Sequence, residues 1–321
     1  MFFDLSQELL PRYQSAQRDP DDFDSFWSET IAQARRQASP AVVTRVPTAL
    51  TTIDVYDVTF SGFDGNPIKA WLRVPAGATG PLPAVVHFVG YGGGRGHPLE
   101  NLLWASAGFA GFQMDTRGQG STWSVGDTAD PVGSGAQYPG FMTRGIASRE
   151  TYYYRRVITD AVRAIDTARE LELVDSSRLA VFGQSQGGGI ALACAGLVPE
   201  LSAAACCVPF LCDFPRACVI TDEFPYKEIA NYLAVHREKA SRVHEVLSYF
   251  DGVNFAARAQ APASFSTSLM DTTCPPSTVY AAFNRYAGRK AITLWEYNGH
   301  EGGQVIDQEQ SISFLREVFA S

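Results

Sequence analysis

The chain has 321 residues, 45% of them hydrophobic, enough to bury the core of one large α/β domain. Twenty-six basic against 34 acidic side chains leave a formal net charge of −8, which removes the electrostatic case for nucleic acid or an anionic membrane as partner. No apolar run reaches the roughly 18 residues of a membrane span, and the N-terminal MFFDLSQELLPRY lacks the charged and apolar regions of a signal peptide.

Residues 1 to about 45 read as a helical extension. Asp19 to Asp24 make an acidic helix start, Pro20 suits the first helical position, and Phe23, Trp27, Ile31 and Ala34 share one face. This segment is expected to cover a sheet edge as a lid or packing element. From Ile53 the period becomes strand-like. IDVYDVTF and IKAWLRVP flank the turn Gly62 to Asn66 as an antiparallel hairpin. Two short strands follow at Ala84–Val89 and Phe109–Met114, with a flexible glycine loop, Tyr91 to His97, after the first. Thr151–Leu171 is an amphipathic helix with Tyr154, Ile158, Val162 and Ile165 on one stripe.

The stretch Arg178 to Ala193, RLAVFGQSQGGGIALA, carries the chemistry. An apolar strand runs into Gly183-Gln184-Ser185-Gln186-Gly187, and a small-residue helix follows at once. Strand, sharp turn and helix around Gly-x-Ser-x-Gly is the nucleophile elbow. The helix behind it directs free N–H groups at the site, where they favour developing negative charge. Beyond the elbow, strands are predicted at 203–210, 263–270 and 290–297. Helices are predicted across 211–260 (best at 226–239 and 241–250), at 275–287 and at 304–319. Alternation of this kind gives one α/β domain with a mostly parallel sheet covered by helices on both faces. The six cysteines lack zinc-ligand spacing, and Cys206-Cys207 lies in the apolar run AAACCVPF, so they read as core residues in a reducing compartment.

A serine hydroxyl needs a general base, and the base an orienting acid. In the elbow architecture both follow the serine in chain order. His236 and His244 fall in charged helical text and read as solvent-facing. His300 lies in the loop YNGHEGG just past a strand, at the carboxyl end of a parallel sheet where ligand chemistry sits. Asp271 ends the preceding predicted strand, and is equally suited to starting the helix that Pro275 and Pro276 introduce. Glu296 and Glu301 are weaker candidates. For the oxyanion hole, one donor is the backbone N–H of Gln186; the loop after 84–89 supplies the second, and Tyr91 is its first usable N–H. That loop lacks the Gly-Lys-Ser/Thr ending or following helix of a phosphate cradle.

Taken together, Arg117-Gly118-Gln119, Gly183 to Gly187 and His300-Glu301 resemble the ordered motifs of the acetyl xylan esterase and cephalosporin C deacetylase family, carbohydrate esterase family 7. DPDDFDSFW, CDFPRA from Cys212, Pro225-Tyr226 and CPPSTVYAAFN after Asp271 fit as well. The resemblance implies an α/β-hydrolase fold and a Ser185, Asp271, His300 triad. Tyr91 and Gln186 would bind the oxyanion, with Arg117 and Gln119 bracing the loop that builds the hole. It also implies a cytoplasmic enzyme without metal or cofactor that acts on small acetylated sugars or cephalosporin C. The expected assembly is a hexamer, a trimer of dimers with active sites facing an inner cavity. Tyr91, Pro225 and the loop around residue 120 are expected to shape the substrate pocket. A general short-chain carboxylesterase and an inert hydrolase-fold binding protein stay open. A lipase is disfavoured by the charges across 211–260, and a peptidase by the missing extra N-terminal domain.

Overall fold

The computed structural model describes residues 2–132 and 135–320. Among them nine strands form one sheet: β1 (Val42–Val46), β2 (Ile53–Ser61), β3 (Pro67–Pro75), β4 (Leu82–Phe88), β5 (Ala110–Met114), β6 (Val174–Gln184), β7 (Ala203–Cys207), β8 (Ala263–Ser268) and β9 (Lys290–Trp295). The α-helices are α1 (Phe23–Arg36), α2 (Leu103–Ser106), α3 (Tyr153–Glu170), α4 (Gln186–Leu197), α5 (Phe214–Ile220), α6 (Tyr226–Val235), α7 (Ala240–Ser248), α8 (Gly252–Ala256), α9 (Pro276–Arg285) and α10 (Val305–Ala320).

The strand order is β1-β2-β3-β5-β4-β6-β7-β8-β9. The first four strands pair antiparallel, and every pairing from β5 to β9 is parallel. The central strands are apolar on both faces because both are covered. Val86, Val181, Ala204 and Cys206 join the core under α3 and α4, whereas Val85, Ala180, Phe182 and Ala205 join that under α2 and α10. The stripe of Tyr154, Ile158, Val162 and Ile165 on α3 is fully buried. Six parallel strands, β4 to β9, send their loops out at the carboxyl edge, and loops on this edge hold the site.

Several expectations need correction. The edge strand β1 was not legible, because Val42 to Arg45 are all exposed and show no alternating burial. Helix α1 begins at Phe23, leaving Pro20 outside it. It lies against α3, and its aromatic side chains pack on Tyr249, Phe250 and Phe255 instead of capping a sheet edge. Three large rings need a broad apolar bed, which helices provide and a sheet edge does not. The strand expected at 203–210 ends at Cys207, where the chain turns with positive φ at Val208 and Leu211. The helix expected over 226–239 breaks after Val235 into a 3-10 turn.

Candidate active site

Ser185 sits between the end of β6 and the start of α4, with φ 57° and ψ −123°, a region that costs a non-glycine residue on the order of 1–3 kcal/mol. Close packing holds it there. A Cβ on Gly183 would lie 2.1 Å from the Gly187 carbonyl, and one on Gly187 would lie 2.2 Å from the Phe88 carbonyl oxygen. The backbone is also stitched in place: Ser185 N–H donates to Cys207 O at 3.0 Å, and Ser185 O accepts from Phe210 N at 2.9 Å. Half-buried Ser185 thus projects its hydroxyl above the sheet.

Asp271 follows β8 and is completely buried. Its two oxygens divide the two roles the sequence left open. Oδ1 accepts from the Thr273 and Cys274 N–H groups at 2.9 and 2.8 Å, fixing the turn into α9. Oδ2 lies 2.9 Å from His300 Nδ1. His300 Nε2 in turn lies 2.9 Å from Ser185 Oγ. Carboxylate, imidazole and hydroxyl therefore form one hydrogen-bonded row, drawn from the loops after β8, β9 and β6. Glu301 turns away to Asn298 and the Gly299 N–H, and Glu296 is exposed just past β9. His236 stacks on Tyr232 and His244 is half-buried, so neither is simply solvent-facing.

On the other side of Ser185 stand the two expected amide donors. Among the described residues, neither the Tyr91 nor the Gln186 backbone N–H has a protein acceptor. The Gln186 side chain is buried and donates to Val89 O at 3.1 Å, tying the elbow to the end of β4. Gln119 joins both halves: its Oε1 accepts from Gly92 N at 2.7 Å and its Nε2 donates to Gln186 Oε1 at 2.8 Å. Arg117 stands two residues before it, fully buried and forked onto Asp160 at 2.6 and 2.8 Å. The glycine loop is pinned, not flexible. Gly93 lies under the Trp123 ring and Gly94 against the Val125–Gly126 backbone, at approaches no Cβ would survive.

Sequence reasoning missed Glu228. Its text, PYKEIANYL, reads as a charged helix surface, yet Glu228 is 3% exposed. Tyr91 Oη donates to Glu228 Oε1 at 2.5 Å, and Glu228 Oε2 accepts from Met142 N at 2.9 Å. Burial pushes this carboxyl above the ordinary glutamate range. Also missed were the Tyr153 and Tyr154 hydroxyls on α3, which hold Arg117 O at 2.5 Å and Gln186 Oε1 at 2.8 Å. Helical periodicity shows that such rings are inside, but not what their hydroxyls meet.

Asp271, Cys274 and His300 offer ligand atoms within 4.8 Å of one another. Burial first, and then the Asp271 charge, hold the Cys274 thiol well above its usual range. A metal would need the thiolate, and both imidazole nitrogens already serve the row, so the set does not fit a metal centre. A cavity of about 550 Å³ opens over Ser185 and His300, and Tyr91, Phe224, Pro225 and Thr273 are among the residues that line it.

A serine on a strand-to-helix elbow, with carboxylate and imidazole from later carboxyl-edge loops of a mostly parallel sheet, defines the α/β-hydrolase class. Among solved structures, an acetyl xylan esterase from Paenibacillus sp. R4 superposes with a TM-score of 0.92 at 39% identity, covering 98% of this chain and 99% of that one. Acetyl xylan esterase 1 from Thermoanaerobacterium sp. gives 0.91 at 30% identity, covering 99% and 100%. A curated relative, the acetyl esterase Axe7A of Xylanibacter ruminicola, is 28% identical over 301 residues; these make up 92% of this chain but 66% of that protein. The family model described as acetyl xylan esterase (AXE1) matches residues 1–318. The chain belongs to the acetyl xylan esterase family, a family of carboxylic ester hydrolases.

Proposed function

We propose that the protein is a serine esterase that removes acetyl groups from small acetylated substrates, xylo-oligosaccharides and cephalosporin C among them. The observation that carries this is the Asp271–His300–Ser185 row at 2.9 Å per step. Ser185 Oγ attacks the ester carbonyl as His300 Nε2 takes its proton. Asp271 holds the Nδ1–H tautomer and stabilises the imidazolium. The carbonyl oxygen becomes an oxyanion between the Tyr91 and Gln186 amides, whose N–H groups have no other acceptor among the described residues. The alcohol departs with the proton from His300. Water, deprotonated by the same nitrogen, then releases acetate from Ser185. Arg117 and Gln119 act one layer out, holding the Tyr91 amide against the elbow.

The test is hydrolysis of p-nitrophenyl acetate, butyrate and octanoate, with acetate release from acetylated xylobiose, by the native protein and Ser185→Ala. Activity that is highest on acetate and falls on the order of a millionfold in the variant is expected. Equal activity in both proteins would overturn the assignment. A general short-chain carboxylesterase is the second reading, because the cavity exceeds what an acetyl group fills; it predicts retained activity on the longer esters. An assembly of six chains in the cytoplasm, supported by the family resemblance, is tested by light scattering and fractionation.

A further inference from the structure

The lining of the cavity over Ser185 also includes His87, Gln113, Asn101, Phe182 and Gln308, which together are termed its second arm. His87 pairs in register with Gln113 on β5 and with Phe182 on β6, so the three side chains stand in one row on the same face of the sheet. That face is the one covered by α2 and α10. Asn101 stands just before α2, and Gln308 on α10. A layer so near the sheet centre is ordinarily apolar, yet two of the three residues here are polar.

These polar groups are oriented and unpaired. Gln113 is 2% exposed, and its Oε1 accepts from buried Arg73 at 2.8 Å, which leaves Nε2 as the free donor. Arg73 is itself fixed by the Pro98 and His97 carbonyls at 3.1 and 3.2 Å. Among the described residues, Gln113 Nε2, both His87 ring nitrogens and the side-chain amides of Asn101 and Gln308 have no hydrogen-bond partner. Gln113 is buried, His87 and Gln308 are half-buried and Asn101 is exposed, so the cavity presents these hydrogen-bonding groups to whatever fills it. Burial, with Arg73 beyond, lowers His87 to about 4. The ring is therefore neutral at physiological pH, with one donor and one acceptor.

We infer that this arm is the alcohol subsite and takes an uncharged pyranose, the sugar that carries the acetyl ester. The inference rests on the esterase reading above. Uncharged amides and a neutral imidazole match hydroxyl groups, which both donate and accept. They offer no cation to a phosphate or carboxylate. The 62% exposed Trp123 gives a flat apolar face for the C–H side of a sugar, while the buried Phe182 ring, edge-on to His87 at 5.2 Å, backs the polar row. Trp123 is held in place by its Nε1, which donates to Tyr91 O at 2.8 Å. An acyl chain in this arm would leave the same polar groups unpaired, so the acyl group belongs against Tyr91, Phe224 and Pro225.

The experiment compares the native protein with Gln113→Leu, His87→Phe and Gln308→Ala. The last lies on a surface helix and keeps the test open should a core variant fail to fold. The ratio of kcat/KM on acetylated xylobiose to kcat/KM on p-nitrophenyl acetate is expected to fall at least tenfold, mainly through KM. Unacetylated xylobiose should inhibit p-nitrophenyl acetate hydrolysis competitively, with a Ki raised at least tenfold in the variants. An unchanged ratio together with an unchanged Ki overturns the inference. A Gln113→Leu protein that gains octanoate activity while keeping the ratio also overturns it, by assigning the arm to the acyl chain. Calorimetric titration of xylobiose into Ser185→Ala scores the subsite even if that variant shows the esterase reading to be wrong. Heat of binding that is lost in the double variant with Gln113→Leu supports the subsite, and no heat refutes it.

Discussion

Replacing Gln119 by leucine tests the oxyanion side of the site. Most of its partners keep another contact: Gln186 Oε1 retains the Tyr154 hydroxyl, Gln186 Nε2 retains Val89 O, and the Tyr153 hydroxyl retains Arg117 O. Gly92 N–H does not, since Gln119 Oε1 is its partner at 2.7 Å. One orphaned buried donor costs about 1–3 kcal/mol. The loop can relieve that cost by swinging Gly92 toward water, which carries the Tyr91 amide with it. In the proposed mechanism that amide acts on the transition state, so its misplacement should lower kcat roughly 100- to 1,000-fold with little change in KM. The assay is steady-state hydrolysis of p-nitrophenyl acetate, alongside thermal unfolding to show a cooperative fold with Tm lower by a few degrees. A Gln119→Leu protein with kcat within about threefold of native, or with a loss confined to KM, would refute the reasoning.

Three further outcomes follow from the same geometry. Gly187→Ala forces a Cβ to 2.2 Å from Phe88 O, displacing the elbow from β4; kcat should fall roughly a hundredfold or more, read by the same hydrolysis. Asp160→Ala removes the forked partner of fully buried Arg117, and urea unfolding should show a loss of about 3–5 kcal/mol. Glu228 has a folded pKa raised by burial, so the folded state binds its proton more tightly than the unfolded chain does. The stability this gives is complete below the ordinary glutamate range and is lost as pH rises through the raised value. Glu228→Gln should therefore gain stability relative to native at pH 8 and little at pH 4, measured as urea midpoints at the two pH values.

Legibility followed the markers that each residue leaves in the chain. Ser185 announces itself through glycines that only a close approach explains. Asp271 and His300 stand beside Pro275-Pro276 and Gly299, at the ends of apolar strands. The parallel centre of the sheet was legible because strands buried on both faces read as unbroken apolar runs. Long-range polar contacts leave no such mark. Nothing near Glu228 in sequence indicates Tyr91, 137 positions away, and the neighbouring Lys227 makes the segment look like a wetted face. The Arg117–Asp160 pair crosses from the end of β5 to the middle of α3, where an aspartate looks like any surface charge. The edge strand β1 was hidden for the opposite reason: with its side chains exposed, it has no burial period to read.

All six cysteines are free, five of them buried and Cys218 half-buried. Burial holds these thiols protonated, well above the range in which they attack disulfides or oxidants. The folded chain thus shields its own sulfur, whatever the redox potential outside. Free thiols here report packing and say little about compartment. A thiol-reactive dye added to the native protein should label slowly, beginning at Cys218. Under denaturing conditions all six sites become available together, so the label taken up over time measures how often the molecule opens.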